Sequence, residues 1–439
     1  MKYKLTIGMI GLIMSVALRA QTQPDWNQRL GWSVDALSRV MMHDVVNPPA
    51  AARYYAYCLL GAWQYAAGAD GSVPEPKIVL RTTIGKKSVG MYYNVSAIFS
   101  ILELGKMMLP SGYMLEEALG EFTADLKRDG MDTASIGKCR REAQATAREV
   151  VAWSRTDRYN QLSAKLRYTP QKGEGYWYPT PPAYMEAVEP NWRTVRPMLM
   201  DTCNQFSPLP CVMFDKDSNS AFMQLAREVY DYSHKATNDE LASAAFWDCN
   251  PFAVSTAGHL AIGFKKISPG GHWMAIAGIA CQQARLEFSQ SVLVQAILGL
   301  TLMDAFISCW DEKYSSNRIR PETVINRYID PKWQPLLQTP PFPEYTSGHS
   351  VVSAASAEVL TYFLGNQFAY RDSSEHLFGL PTRAFTSFRA AAGEAAVSRI
   401  IGGIHFRDAV DNGVLQGRAL GEFIVSKIRG LRVPAFVQK

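Results

Sequence analysis

The feature that most constrains the fold is a proline-rich stretch that leads directly into a long apolar segment. Residues 329–345 contain five prolines, and the sequence Ser-Gly-His follows at 347–349. Residues 348–364 are rich in Ala, Val and Leu, and Gly365 after them is typical of a helix C-cap. We therefore expect a rigid loop that ends at a helix N-terminus, where free amides and the helix dipole favour an anion.

Most of the remaining sequence also predicts helices, so the expected fold class is all-α, built from helical bundles. Thr237 and Glu240 have capping-box spacing, and residues 222–229 carry apolar side chains at helical spacing. The apolar stretch 288–303 contains several polar residues and runs into Asp304, which favours a buried helix over a membrane span. Residues 172–197, dense in Gly, Pro, Tyr and Trp, are expected to form a long ordered loop.

The chain is expected to divide into a signal peptide at 1–20, an N-terminal helical region at 21–200 and a C-terminal helical bundle at 201–439. Lys2 and Lys4 form a basic start, residues 5–18 are an apolar run too short to span a bilayer, and cleavage is expected after Ala20. We therefore expect an exported protein, periplasmic or secreted, without stable membrane insertion. Three basic leader residues contribute to the formal charge of +5, and the remaining +2 is too small for a nucleic-acid binder.

The seven cysteines are an odd number, which argues against a complete disulfide framework. Cys203 and Cys211 flank a short proline-containing loop, and a disulfide between them is left open. No CxxC or Cys/His spacing suggests a zinc site.

Three short strings in the last third of the chain carry the chemistry. They are Lys313-x6-Arg320-Pro321, Ser347-Gly348-His349 and Ser398-Arg399-x5-His405. Together they supply three cations, a hydroxyl, a glycine amide and two imidazoles, which is the donor set that a tetrahedral oxyanion requires. Each string alone is common in structural contexts, but their joint occurrence at an expected helix start indicates an anion site.

The spacing predicts how these side chains would act. Lys313 and Arg320 are seven residues apart, so we expect both on one face of a single helix that ends near Pro321. The planar guanidinium groups of Arg320 and Arg399 match two oxygens of a tetrahedral anion. His349 can transfer a proton to or from an apical oxygen, and His405 can attack or coordinate the central atom.

The three strings resemble the signature of the superfamily that joins type-2 phosphatidic acid phosphatases, bacterial nonspecific acid phosphatases and vanadium-dependent haloperoxidases. The resemblance covers residues 310–411, and the long helical chain before them is similar to the bacterial haloperoxidase-like branch. It implies helical bundles with the anion site at helix ends in the C-terminal bundle.

The resemblance implies two sets of roles for the same residues. In a haloperoxidase, His405 would ligate vanadium and His349 would act as acid–base, while hydrogen peroxide oxidises a halide. In an acid phosphatase, His405 would form a phosphohistidine with a phosphomonoester and His349 would protonate the leaving group. In either case the residues expected to hold the vanadate or phosphate oxygens are Lys313, Arg320, Ser347, Gly348 and Arg399.

Other positions refine the resemblance. Trp310 and Phe342 match apolar residues on the halide side of haloperoxidase sites, although both are equally compatible with core aromatics. Thr346 replaces the usual proline before Ser-Gly-His and is expected to cap the helix instead.

The family often has an acid four residues after the second histidine, where this chain has Ala409. Asp408 and Asp411 are therefore the candidates to hold the His405 ring, since an oriented imidazole needs such a partner. We expect a vanadate-dependent haloperoxidase that uses hydrogen peroxide and iodide or bromide. The alternatives are a metal-independent acid phosphatase and a non-catalytic phosphate or vanadate binder, and a homo-oligomer is left open.

Overall fold

The structure, a computed structural model, describes residues 25–257, 260–263 and 265–437, so the expected signal peptide lies outside the described residues. The helices are α1 Trp26–His43, α2 Pro48–Ala69, α3 Pro76–Val79, α4 Tyr93–Met108, α5 Leu115–Arg128, α6 Thr133–Ser154, α7 Ala221–Lys235, α8 Asn238–Phe246, α9 Pro269–Gln283, α10 Phe288–Ser316, α11 Pro321–Tyr328, α12 Gly348–Leu364, α13 Phe388–Ile401 and α14 Arg407–Gly430. Short 3₁₀ helices span Gly112–Met114, Arg155–Asp157, Tyr159–Ala164, Trp192–Thr194 and Ser374–Phe378. Two antiparallel hairpins pair β1 Val254–Ala257 with β2 Leu260–Gly263, and β3 Tyr370–Asp372 with β4 Arg383–Phe385.

The prediction of an all-α fold is confirmed, and α10 is its central helix. This helix packs against α2 on one side and α12 on the other. It is long and apolar enough to cross a membrane by length and composition, but its most apolar window is completely buried inside the protein. The prediction of a buried helix is therefore confirmed.

Asp304 on this helix accepts backbone N–H bonds from Met198, Leu199 and Met200 at 2.6–2.8 Å, which fixes the end of the 172–197 loop.

The main hydrophobic core is shared along the whole described chain. It extends from Leu30 on α1 to Val433 after α14, and therefore crosses the expected boundary near residue 200. A second, smaller core joins Phe222, Trp333 and Phe406 on the outer side of the C-terminal bundle. The division into two regions at residue 200 stays a prediction.

The helix that carries Ser-Gly-His is positioned by very close packing on α14. Glycines at 413, 417 and 421 of α14 face α12, and a Cβ on Gly417 would lie only 2.1 Å from the carbonyl oxygen of Val351. Because only glycine allows this approach, α12 and α14 pack almost backbone to backbone. The predicted helix Gly348–Leu364 is confirmed, and Gly365 ends it with φ +100°.

Other local expectations have mixed outcomes. The capping box of Thr237 and Glu240 is confirmed at the start of α8. All seven cysteines are free, so Cys203 and Cys211 do not form a disulfide in this structure.

Candidate active site

Two of the three strings line one cavity in the C-terminal bundle, and the first string lies against its lining residues, with Arg320 beside His405 and Lys313 beside Gly348. Lys313 lies in the last turn of α10, Ser347 is the N-cap of α12, and Arg399 lies in the last turn of α13. His405 follows in the short turn between α13 and α14. The residues of the predicted site that line the cavity are Trp310, Phe342, Gly348, His349, Arg399 and His405.

Lys313 and Arg320 do not share a helix, so that prediction was wrong. Helix α10 ends at Ser316, and Asn317 takes the left-handed conformation with φ 47°, where Asn is tolerated. Arg320 is instead the N-cap of α11, and Pro321 is its first residue. Proline suits that position because its missing N–H would be unpaired there in any case. The two cations therefore approach the site from two separate elements.

The three cations of the site are buried and have no acidic partner. Lys313 and Arg320 are 0% exposed and Arg399 is 1% exposed. Within the described part of the chain, no carboxylate forms an ion pair with any of them. Their hydrogen bonds go mainly to backbone carbonyls, such as Pro343 and Thr346 for Lys313, and Nη2 of Arg320 has no partner at all.

Burial lowers the pKa of all three cations. Burial lowers the pKa of Lys313 to about 8, and the positive charge of Arg320 acts in the same direction. Burial also lowers the pKa of Arg320 to about 10 and that of Arg399 below its usual range. Buried unpaired cations are costly, so this site is electrostatically incomplete until an anion enters it.

His405 is oriented by Glu344 and not by an acid of its own helix. Its Nδ1 lies 2.9 Å from Oε1 of Glu344, and the same oxygen accepts the backbone N–H of Phe406 at 2.9 Å. On the other side of the ring, Nη1 of Arg320 lies 3.2 Å from Nε2. These partners assign the proton to Nδ1, which donates to Glu344, and the electron pair to Nε2, which accepts from Arg320.

The pKa of His405 agrees with a neutral ring. Burial, followed by the charge of Arg320, lowers the pKa of His405 well below its usual value. Nε2 is therefore unprotonated at neutral pH, which is the state that a metal ligand or a nucleophile requires.

The expectation that Asp408 or Asp411 holds the His405 ring was wrong. Asp408 accepts from Nη1 of Arg318 at 2.8 Å, and Arg318 lies 3.4 Å from the second oxygen of Glu344, so Asp408 acts one step away. Asp411 is exposed. Ala409 is completely buried, and its backbone carbonyl accepts the N–H of Ser347 at the start of α12.

His349 is available for proton transfer. It lies at the start of α12, and its Nε2 is buried without a hydrogen-bond partner in the described part of the chain. Burial lowers the pKa of His349 well below its usual value, and the nearby charge of Arg399 adds to the effect. The imidazole is therefore neutral at neutral pH and can accept a proton from a group in the cavity.

The remaining motif residues shape the helix start. Ser347 caps α12 by accepting the N–H of Ser350 at 3.3 Å, whereas Thr346 donates to Gln416 at 2.7 Å, so the expectation that Thr346 caps the helix was wrong. A Cβ on Gly348 would meet Trp310 at 3.7 Å and Lys313 at 4.0 Å. These are ordinary contacts, so packing alone does not require glycine here.

Trp310 and Phe342 form the aromatic wall of the cavity. Their ring centroids are 4.9 Å apart, and Nζ of Lys313 lies 5.0 Å from the Phe342 ring centre. Trp310 also donates to the carbonyl of Val188, which ties this wall to the 172–197 loop. The two rings therefore belong both to the core and to the cavity, as the sequence left open.

Sequence reasoning missed several residues of the site. Glu344 is the only acid in the proline-rich stretch 329–345 apart from Asp330, and its place three residues before Ser347 was the available signal. Asp248, Cys249 and Phe252 also line the cavity, but they come from the segment after α8, and no spacing in the sequence links them to the three strings.

Comparison with known proteins identifies the family. The family model "VCPO second helical-bundle domain" matches residues 293–432, which contain all three strings. A solved bacterial vanadium-dependent iodoperoxidase superposes with a TM-score of 0.84 at 38% identity, over 91% of this chain and 96% of that chain. A holo-type bacterial vanadium-dependent chloroperoxidase has TM-score 0.64 at 14% identity, over 89% of this chain and 93% of that chain, and shows the fold alone. No curated protein sequence matches the chain significantly.

The fold and the cavity define a mainly helical enzyme with a cage of three buried cations, Lys313, Arg320 and Arg399. With 38% identity to the iodoperoxidase over nearly its full length, the chain belongs to the vanadium-dependent haloperoxidase family.

Proposed function

We propose that this chain oxidises iodide with hydrogen peroxide in a vanadate-dependent reaction, with bromide as the second candidate halide. The observation that carries the proposal is the set of three buried cations without an acidic partner, next to the unpaired Nε2 of His349. The iodoperoxidase similarity supports iodide as the first candidate.

The donor set fits vanadate. The residues that would hold its oxygens are Lys313, Arg320, Ser347, Gly348 and Arg399, and His405 would bind vanadium through Nε2. The unpaired Nη2 of Arg320 is a buried donor of the kind that an oxyanion would complete. Bound there, vanadate supplies a Lewis-acidic centre that activates hydrogen peroxide towards a halide.

The chain's own residues would then act on charge, protons and water. The three cations stabilise negative charge in a buried site, where electrostatic interactions are stronger than in water. Neutral His349 accepts a proton from peroxide at Nε2. The rings of Trp310 and Phe342 exclude water, which leaves a halide poorly solvated and more reactive.

The two alternative functions differ in their support. Phosphate has the same shape and charge as vanadate, so the same residues would also serve an acid phosphatase. The experiment below distinguishes the two activities. The non-catalytic binder was based on the missing acid at 409. Because Glu344 orients the His405 ring, that reason for expecting a disabled site no longer applies.

The decisive experiment is peroxide-dependent iodination and bromination by the purified chain after loading with orthovanadate. A control without vanadate and the His405→Ala variant are measured in parallel. We expect halogenation only with vanadate and only in the unaltered chain. Hydrolysis of a phosphomonoester that vanadate inhibits, without any halogenation, would favour the phosphatase. Full turnover by His405→Ala would show that the site is wrongly assigned.

The choice of halide needs a separate comparison. We expect kcat/KM to be higher for iodide than for bromide, because iodide is the more easily oxidised and less strongly hydrated ion. Equal or higher kcat/KM for bromide would contradict this part of the proposal and leave the vanadate chemistry intact.

We also propose that the protein is exported. The basic start and the apolar run at 1–20 support this proposal. Fractionation of cells that express the full chain, with the N-terminal mass of the mature protein, tests it. A product that retains its first residues in the cytoplasm would contradict export.

A further inference from the structure

A second buried cluster of reactive side chains lies behind the wall of the cavity. It consists of Cys249 after α8, His272 in the first turn of α9, Asp372 in β3 and Glu375 in the 3₁₀ helix Ser374–Phe378. All four side chains are buried, and Cys249 also lines the active-site cavity. The proposed vanadate chemistry gives this cluster no role.

Two potential ligand atoms, from Cys249 and Glu375, lie close to Nδ1 of His272, which is the third. Sγ of Cys249 lies 3.3 Å from Nδ1, Oε1 of Glu375 lies 3.4 Å from the same Nδ1, and all three atoms lie within 4.8 Å of one another. With Zn–S bonds of about 2.3 Å and Zn–N or Zn–O bonds of about 2.0–2.2 Å, adjacent ligands of a tetrahedral ion are about 3.3–3.6 Å apart. The two distances to Nδ1 match the edges of such a tetrahedron.

The other nitrogen of His272 has the partner that a metal-binding histidine usually has. Nε2 lies 2.9 Å from Oδ2 of Asp372, and the second oxygen of Asp372 is held by the backbone N–H and hydroxyl of Ser374 at 3.0 and 2.6 Å. An outer carboxylate of this kind can accept a proton from Nε2, which would leave Nδ1 as the nitrogen that could ligate an ion. The ring is also stacked on Trp247, with the centroids 4.6 Å apart.

Glu375 has a buried oxygen that also indicates a cation site. Its side chain is only 3% exposed, yet Oε1, which lies 3.4 Å from Nδ1 of His272, has no hydrogen-bond partner among the described residues. If the ring proton of His272 is on Nε2, both Nδ1 of His272 and Oε1 of Glu375 need a hydrogen-bond donor. The thiol of Cys249 has a single proton and cannot serve both. Buried polar groups without partners are rare, and a cation between them would satisfy all three at once.

We propose that Cys249, His272 and Glu375 bind one divalent transition-metal ion of the zinc type, with Asp372 as the outer partner of His272. A thiolate with an imidazole favours zinc over magnesium or calcium, which prefer oxygen ligands. Because Cys249 lines the cavity, the ion would lie in the wall of the vanadate site and fix the position of the segment after α8.

The test uses the full chain with Zn²⁺ and Co²⁺ as probes, and needs neither vanadate nor halide. The protein is purified, dialysed against a weak chelator, and its metal content is measured by mass spectrometry. We expect one zinc per chain in the unaltered protein and in Cys281→Ser, which changes a buried cysteine of the same helix as His272. Cys249→Ser and Glu375→Gln are expected to lose the ion.

A second measurement, on the unaltered protein with Co²⁺ in place of Zn²⁺, does not depend on whether these variants fold. The unaltered protein should then show the sulfur-to-cobalt charge-transfer absorption of a thiolate ligand. Asp372→Asn keeps all three ligands, and we expect its metal affinity to fall about 10–100-fold. No retained zinc and no thiolate band in the unaltered protein would overturn the proposal and leave a hydrogen-bonded Cys–His–Asp network. Equal zinc in Cys249→Ser would indicate an adventitious ion only.

Discussion

Two regions of the protein bury arginine in opposite ways. Arg53 of α2 is 5% exposed, and its Nε lies 2.6 Å from Asp157, while its guanidinium stacks over the rings of Tyr57 and Tyr159. Arg320 and Arg399 are at least as deeply buried, but carbonyls and a hydroxyl are their main partners. The Arg53 region is complete within the chain, whereas the proposed anion would complete the cage.

The largest effect is expected from breaking the paired region. Arg53→Met leaves the Asp157 carboxylate buried without its counter-charge, which should lower the free energy of unfolding by about 3–5 kcal/mol. Denaturant unfolding monitored by circular dichroism measures this change. Vanadate affinity of the folded variant should stay unchanged, because Arg53 and the cage do not share contacts.

A double variant provides the control for this first prediction. Arg53→Met with Asp157→Asn removes both charges and keeps an oxygen that can accept from Tyr57 or Tyr159, so part of the lost stability should return. If Arg53→Met alone is as stable as the unaltered protein, the pairing with Asp157 does not stabilise the fold and the comparison fails.

The unpaired region should respond in the opposite sense. Arg399→Met removes a buried cation that has no acidic partner, so the anion-free protein should be as stable as the unaltered chain or more stable. Its vanadate affinity should fall by about 1.5–3 kcal/mol, the contribution of a charged hydrogen bond. Denaturant unfolding and a vanadate titration measure the two quantities. Lost stability with unchanged affinity would show that Arg399 is structural, like Arg53.

The contrast explains which parts of the fold were predictable. Helix α12 was predicted to the residue because its signals are local: a polar N-cap, an apolar run and Gly365. The break between Lys313 and Arg320 was not, because it depends on a left-handed Asn317, which the seven-residue spacing does not reveal. Sequence patterns describe neighbours along one element and do not show where two elements meet.

The site was predictable in its residue types and only partly in its contacts. The donor set followed from the three strings, because charge and hydrogen-bonding capacity belong to the residues themselves. Glu344 is 61 residues from His405, and their contact forms only when the proline-rich stretch packs against the start of α14. The cluster of Cys249, His272 and Asp372 depends in the same way on long-range packing, so no metal-binding spacing was visible.

Glu344 gives the next largest effect and tests which acid supports the cage. Glu344→Gln keeps the shape of the side chain but weakens the bond that orients His405, so vanadate affinity or activity should fall about 10–100-fold. Asp408→Asn should lower it less, because Asp408 reaches the ring only through Arg318 and Glu344. Vanadate titration and initial rates of the two variants provide the comparison, and a larger loss in Asp408→Asn would reverse the assignment.

The smallest effect is a pH dependence of anion binding that comes from Lys313. Because burial lowers the pKa of Lys313 to about 8, the anion-free protein loses this charge as the pH rises above that value. Anion binding must then restore the proton, so affinity should fall by up to about tenfold per pH unit above pH 8. The free energy of unfolding of the anion-free protein should instead rise as the pH rises. The unfolded chain holds this proton up to its ordinary pKa of 10.5, so folding becomes more favourable as the pH rises from 8 towards 10.5.

Lys313→Met separates this contribution from the titration of vanadate itself, which is the same for both proteins. The ratio of the two vanadate dissociation constants, variant over unaltered chain, should be large below pH 8 and should shrink above it. Denaturant unfolding between pH 8 and 10 should show a steeper rise in stability in the unaltered chain than in the variant. A ratio that stays constant through pH 8 would mean that Lys313 keeps its proton without an anion, and the cage would then be electrostatically complete in the way that the Arg53 region is.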